Sequence, residues 1–166
     1  MTNIYLIGFM GSGKSSVGKH LSGLLELAFV DTDLLIKDQT NKKIADIFAL
    51  EGESKFREYE TEALASLPTK SCVVATGGGI VETPANVEQM KKSGKIVLLD
   101  TSFLTISERL EADRTRPLWN QKKSSQKKLY VKRMELYRTF ANIIVSTDGQ
   151  SIEHIANEIR SRLENE

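Results

Sequence analysis

The tightest constraint on this chain is the stretch Gly8-Phe9-Met10-Gly11-Ser12-Gly13-Lys14-Ser15, which fits the pattern GxxxxGKS. Before it stands the apolar run Ile4-Tyr5-Leu6-Ile7, with the β-branched and aromatic content of a buried strand. After it, Val17, Leu21, Leu24 and Leu25 recur at helical spacing. A strand-to-helix turn is the context in which this pattern cradles phosphate. Side chains would block an anion from the backbone N–H groups, and Gly8, Gly11 and Gly13 leave that approach open. The helix starting near Lys14 aims its positive end at the same point, Lys14 can reach the β and γ oxygens of a triphosphate, and Ser15 can ligate Mg²⁺. The alternative is a glycine-rich turn with a solvated lysine, which the flanking strand and helix disfavour.

The 166 residues, 40% hydrophobic, suffice for one domain with a real core. With 23 basic and 22 acidic residues the net charge is +1, so no overall field calls for nucleic acid or an anionic membrane. An anionic substrate must then be met by locally placed arginines. The single cysteine, Cys72, excludes an intrachain disulfide and fits a reducing cytoplasm, where it reads as a small core residue. The N-terminus shows neither a basic leader nor a cleavage site, and its apolar stretch is too short to span a bilayer, so a soluble, unprocessed chain is expected.

Along the chain, Ala28-Phe29-Val30 runs into Asp31-Thr32-Asp33 at the expected carboxyl edge of a second strand. On an extended segment the two carboxylates would face the same way, near the phosphate loop. Asp33 could instead cap the helix that begins at Leu34. Residues 43–67 read as two helices bent at Gly52, an insertion carrying Arg57, which is either an anion clamp or a solvated surface charge. Cys72-Val73-Val74-Ala75 is a strand covered on both faces, ending in Thr76-Gly77-Gly78-Gly79, a glycine run best explained by close approach of a ligand. A helix from Pro84 to about Ser93 with Gly94 as its stop, a strand Ile96–Leu99 and a helix through Ile106 and Leu110 follow. The polar, aperiodic segment 113–126 suggests a functional lid; Lys122, Lys123, Lys127 and Lys128 read as a solvated basic face. A helix over 129–140, a strand Ile143–Val145 and a last helix capped by Ser151 complete the chain. His20 and His154 lack partners at metal-ligand spacing and read as surface residues.

Taken together, GFMGSGKSS at 8–16, DTD at 31–33, IADIF at 44–48, the GE and FR pairs within 52–57, TGGG at 76–79, RP at 116–117 and R with LYR within 133–138 resemble the shikimate kinase family from about Ile4 to Leu163. The resemblance implies a three-layer αβα P-loop kinase fold, nucleoside-monophosphate-kinase-like, with a five-stranded parallel sheet. It also implies a helical insertion at about 34–62 that binds shikimate and a lid at about 112–126. The implied reaction is transfer of the ATP γ-phosphoryl group to the 3-hydroxyl of shikimate, on the route to the aromatic amino acids, by a monomer. By position, Gly11, Ser12, Gly13, Lys14, Ser15 and Ser16 hold the phosphates, Ser15 and Asp31 serve Mg²⁺, and Asp33 binds and deprotonates the acceptor hydroxyl. Arg57 and Arg133 take the shikimate carboxylate, with Gly78 and Gly79 at the substrate. Arg116 closes over the phosphates, and Arg109 and Gln150 lie near the nucleotide. Trp119 departs from the small aliphatic residue more usual after RPL. A gluconate kinase would share the phosphate loop but not the FR and GGG elements, and a non-catalytic nucleotide-responsive module need not keep Lys14 and Asp33.

Overall fold

The computed structural model describes residues 2–111 and 122–166. Five parallel strands, β1 (Asn3–Ile7), β2 (Ala28–Asp31), β3 (Cys72–Ala75), β4 (Gly94–Asp100) and β5 (Ile143–Ser146), form one sheet in the order β2-β3-β1-β4-β5. Side chains alternate between its faces, and both faces are covered, so β1, β3 and β4 read as unbroken apolar runs. Ile4, Leu6, Val73, Val97 and Leu99 pack on one face with Val17 and Leu21 of α1 (Lys14–Leu25) and Ile155 and Ile159 of the C-terminal helix (Ile152–Glu164). Tyr5, Ile7, Val74, Ile96 and Leu98 pack on the other, with Phe9 and residues of five helical segments. The architecture is the three-layer αβα arrangement expected.

Between β2 and β3 run α2 (Thr32–Thr40), α3 (Ile44–Leu50) and α4 (Glu53–Ala65), which share a small core of Ile36, Ile47, Phe56 and Ala63. Gly52 separates α3 from α4 with φ at 86°. After β3 come a 3-10 turn, Ile80–Glu82, and α5 (Pro84–Ser93); after β4, α6 (Phe103–Leu110) and α7 (Lys123–Phe140); the C-terminal helix is α8. As read from the sequence, Cys72 is buried, while His20, His154 and the four lysines Lys122, Lys123, Lys127 and Lys128 are exposed.

Three expectations need correction. Residues 31–33 are not one extended segment: β2 ends at Asp31 and α2 begins at Thr32. The cap of α2 is Asp31, not Asp33, because the Asp31 carboxylate accepts from the Asp33 and Leu34 N–H groups. And α7 starts at Lys123, so the last residues of the expected lid are helix; its first turn holds no apolar residue, and hydrophobic periodicity cannot reveal it. The rest of that segment, with Arg116 and Trp119, lies outside the described residues.

Candidate active site

Because all five strands are parallel, the turns after β1, β2 and β3 emerge at one sheet edge, with β1 between β3 and β4 at the point where the strand order reverses. The phosphate loop follows β1. Gly11 and Gly13 have φ of 80° and 93°, which suits residues without a Cβ. No side chain caps the N-terminus of α1, so its first-turn N–H groups point at the loop. Lys14 Nζ donates to the carbonyls of Gly8 at 2.5 Å and Phe9 at 3.0 Å, folding the ammonium over the loop. Arg109 reaches in from α6, its Nη1 donating to the Gly11 carbonyl at 2.9 Å.

A cavity of about 470 Å³ opens over this loop. It is lined by Gly11, Ser12, Gly13, Lys14, Ser15 and Ser16, by Asp31 and Asp33, by Gly77 and Gly78, and by Arg109 and Gln150. Asp31 and Asp33 thus meet the same space from a strand end and a helix turn. The Ser15 hydroxyl donates to Asp31 Oδ2 at 2.5 Å. Two hard oxygen donors beside a phosphate cradle are what Mg²⁺ takes from a protein when phosphate and water fill the rest of its shell. Among the described residues no group of three or more His, Cys, Asp or Glu side chains could hold a metal by itself.

Arg57, Gly79 and Arg133 do not line that cavity; they form a second group around the glycine turn. The Arg57 guanidinium lies so close to Gly79 that a Cβ there would collide with it, and a Cβ at Gly78 would sit 3.4 Å from Arg133 Nη1. A Cβ at Gly77 would sit 2.8 Å from Glu60 Oε2 and 2.9 Å from Asp33 Oδ1, so this glycine lets both carboxylates approach the backbone. The Thr32 hydroxyl accepts from the Gly77 N–H at 3.0 Å, and the Tyr137 hydroxyl donates to the Gly78 carbonyl, fixing the turn between α2 and α7.

Sequence reasoning missed the carboxylates that hold these arginines. Arg57 donates to Glu60 at 2.6 Å and Glu53 at 3.0 Å. Arg133, almost wholly buried, donates to Glu82 at 3.0 Å, and Glu82 also meets Lys132 at 2.9 Å and Arg57 at 3.7 Å. Burial works against the charge on Glu82, but Lys132 and Arg133 outweigh it and hold the carboxyl below its ordinary range. At Glu60 burial wins over Arg57 and pushes the carboxyl up to about 7. Glu60 Oε2 and Arg133 Nε are buried with no hydrogen-bond partner among the described residues. The spacings of Arg57 from Glu53 and Glu60, four and three apart on one helix, were the local signals.

A family model described as shikimate kinase matches residues 10–164. The shikimate kinase of Bacillus cereus (strain G9842) is 42% identical over 166 residues, spanning 98% of this chain and 99% of its own. The solved shikimate kinase from Acinetobacter baumannii in complex with shikimate is 35% identical, with a TM-score of 0.94 over 99% of this chain and 94% of that one. A gluconokinase from Sinorhizobium meliloti, 18% identical with a TM-score of 0.67 over 99% of this chain and 92% of its own, shares the fold alone. Family model, full-length identity and superposition agree, and the chain belongs to the shikimate kinase family.

Proposed function

We propose that this chain, an ATP-dependent kinase of shikimate, carries out its phosphoryl transfer in the cavity between the phosphate loop and the glycine turn. The observation that carries this reading is the lining of one cavity by the phosphate-loop residues, Asp31, Asp33, Arg109 and Gln150. The backbone of Gly11 to Ser16 and the Lys14 ammonium hold the ATP phosphates, with Arg109 and Gln150 at the nucleotide. Ser15 and Asp31 hold Mg²⁺, which when bound neutralises charge on the β and γ oxygens. Asp33 orients the 3-hydroxyl of shikimate and accepts its proton as the oxygen attacks. Since phosphoryl transfer passes through a loose transition state, its main contribution is position. Arg57 and Arg133 grip the shikimate carboxylate, and Gly78 and Gly79 let the ring lie against the backbone. Arg116 closes over the transferring group.

The chain acts as a monomer in this reading, with residues 34–62 as its acceptor-binding insertion and about 112–126 as its lid. A reducing cytoplasm suits the buried Cys72. No helix of the described residues is long and apolar enough to cross a membrane. A coupled ATP-consumption assay across shikimate, gluconate and nucleoside monophosphates tests the substrate. Turnover is expected with shikimate; turnover with gluconate and none with shikimate would overturn the reading.

A further inference from the structure

With Glu60 ionised, the described residues on the acceptor side hold no surplus of positive charge. Three cations, Arg57, Arg133 and Lys132, are matched by three carboxylates, Glu53, Glu60 and Glu82, at 2.6–3.0 Å. Asp33 is a fourth resident carboxylate, so that of the acceptor meets no net positive charge among the described residues. It would add repulsion in a partly buried space unless one resident carboxylate lost its charge.

Of the three, Glu60 is placed to do so. Glu53 is half-exposed and solvated, and Glu82 is held ionised by two close cations. Glu60 is wholly buried, meets Arg57 through Oε1 alone, and has no hydrogen-bond partner for Oε2 among the described residues. The charged and titratable groups facing it are Arg57 and, through it, Glu53 on its own helix, Asp33 on α2, Arg133 and Tyr137 on α7, and Glu82 on the 3-10 turn. We propose that Glu60 is a positioning residue that takes up one proton when the acceptor's carboxylate docks on Arg57 and Arg133, freeing Arg57 of a counter-charge so that it can pair with the acceptor instead. The proton passes from solvent buffer to the Glu60 carboxylate, forming an O–H on a group that was an anion. The inference rests on the carboxylate clamp proposed above.

In the free protein burial already holds Glu60 near neutrality against the pull of Arg57. A second anion beside Arg57 raises its proton affinity further. Binding then tightens as pH falls to about 7 and levels off below, where the free protein is already protonated.

The test is calorimetry of shikimate binding to the full chain near pH 6, 7 and 8, in buffer pairs of different ionisation heat. The expected uptake is roughly half a proton near pH 7, rising toward one near pH 8, with Kd rising by up to about tenfold per pH unit above 7. Glu60→Gln, a neutral stand-in for the protonated form, should bind with no uptake and a flat pH profile. The wild-type measurement decides even if that variant folds poorly. Binding without uptake in the wild type, or uptake that survives Glu60→Gln, overturns the role of Glu60. The methyl ester of shikimate separates the two readings: uptake absent while the ester is still rejected sinks only the proton, whereas an ester bound as tightly as the acid sinks the clamp and this inference with it.

Discussion

Ser15 and Asp31 join the first turn of α1 to the end of β2: the hydroxyl donates to Asp31 Oδ2 at 2.5 Å, while Oδ1 of the same carboxylate caps α2 through the Asp33 and Leu34 N–H groups at 3.0 and 3.2 Å. One side chain therefore serves the proposed Mg²⁺ site and aims the helix that carries Asp33. The two roles can be separated. Asparagine caps as well as aspartate does, so Asp31→Asn should melt near the wild-type temperature yet need roughly 10- to 150-fold more Mg²⁺ for half-maximal rate. Asp31→Ala should also lose the cap, about 1 kcal/mol. An unchanged Mg²⁺ requirement in the asparagine variant would remove Asp31 from the metal site.

Among the bonds described, Lys14 donates to the Gly8 and Phe9 carbonyls of its own loop. Lys14→Ala should therefore leave the fold intact and abolish turnover, because a charged hydrogen bond of about 1.5 to 3 kcal/mol gains strength as charge develops in the transition state. Melting temperature and kcat measured together check this. Near wild-type turnover would end the assignment.

Glu60 also sets a pH dependence of stability. Its carboxyl rises from 4.5 to about 7 on folding, so between those values the native state holds more proton than the unfolded chain. The stabilisation is complete below about 4.5 and is lost as pH climbs through about 7, a swing of about 3 kcal/mol from this group. Thermal melts of wild type and Glu60→Gln across that window should diverge, the glutamine variant losing less as pH rises. Parallel curves would show that Glu60 does not titrate there.

The sheet and the nucleotide half of the site were legible because they rest on local patterns: continuous apolar runs in β3 and β4, and a phosphate-loop motif that is one contiguous string. In the proposed acceptor half, residue types alone singled out Arg57 and the glycine run, and only family resemblance joined them to Arg133. Arg57 and Arg133 are brought together by Glu82, which lies 51 positions before Arg133 and has no local pattern to announce it. Isolated charges on a helix read as solvated, and only packing reveals that Glu60 and Arg133 are buried. The Asp31 to Asp33 stretch misled for a different reason. A strand that ends in its own helix cap looks, by composition, like two more extended residues.

Gly79 is set by sterics, since a Cβ would occupy the place of the Arg57 guanidinium. Gly79→Ala should push Arg57 off the turn and raise the shikimate KM by roughly tenfold, the loss of about one charged hydrogen bond. The ATP KM should move little, because neither residue lines the nucleotide cavity. Equal changes in both constants would indicate a general distortion of the sheet edge instead.

Arg57 and Arg133 offer the sharpest test of how the acceptor is gripped, because they differ in what holds them. Arg57 shares its Nη atoms between Glu60 and Glu53, whereas Arg133 gives one Nη atom to Glu82 and keeps a buried Nε with no described partner. A guanidinium can serve such neighbours and still present parallel donors to a carboxylate; an ammonium cannot. Arg57→Lys and Arg133→Lys should each raise the shikimate KM by about 10- to 150-fold with the ATP KM little changed. The two variants should part in stability. The Arg133 side chain is 2% exposed against 15% for Arg57, so a lysine at 133 must bury an ammonium with fewer donors and should lower the melting temperature more. Steady-state kinetics in both substrates, with melts of each variant, measure all of this. If Arg57→Lys leaves the shikimate KM unchanged, its guanidinium only braces Glu53 and Glu60 within α4, and the acceptor's carboxylate is bound elsewhere.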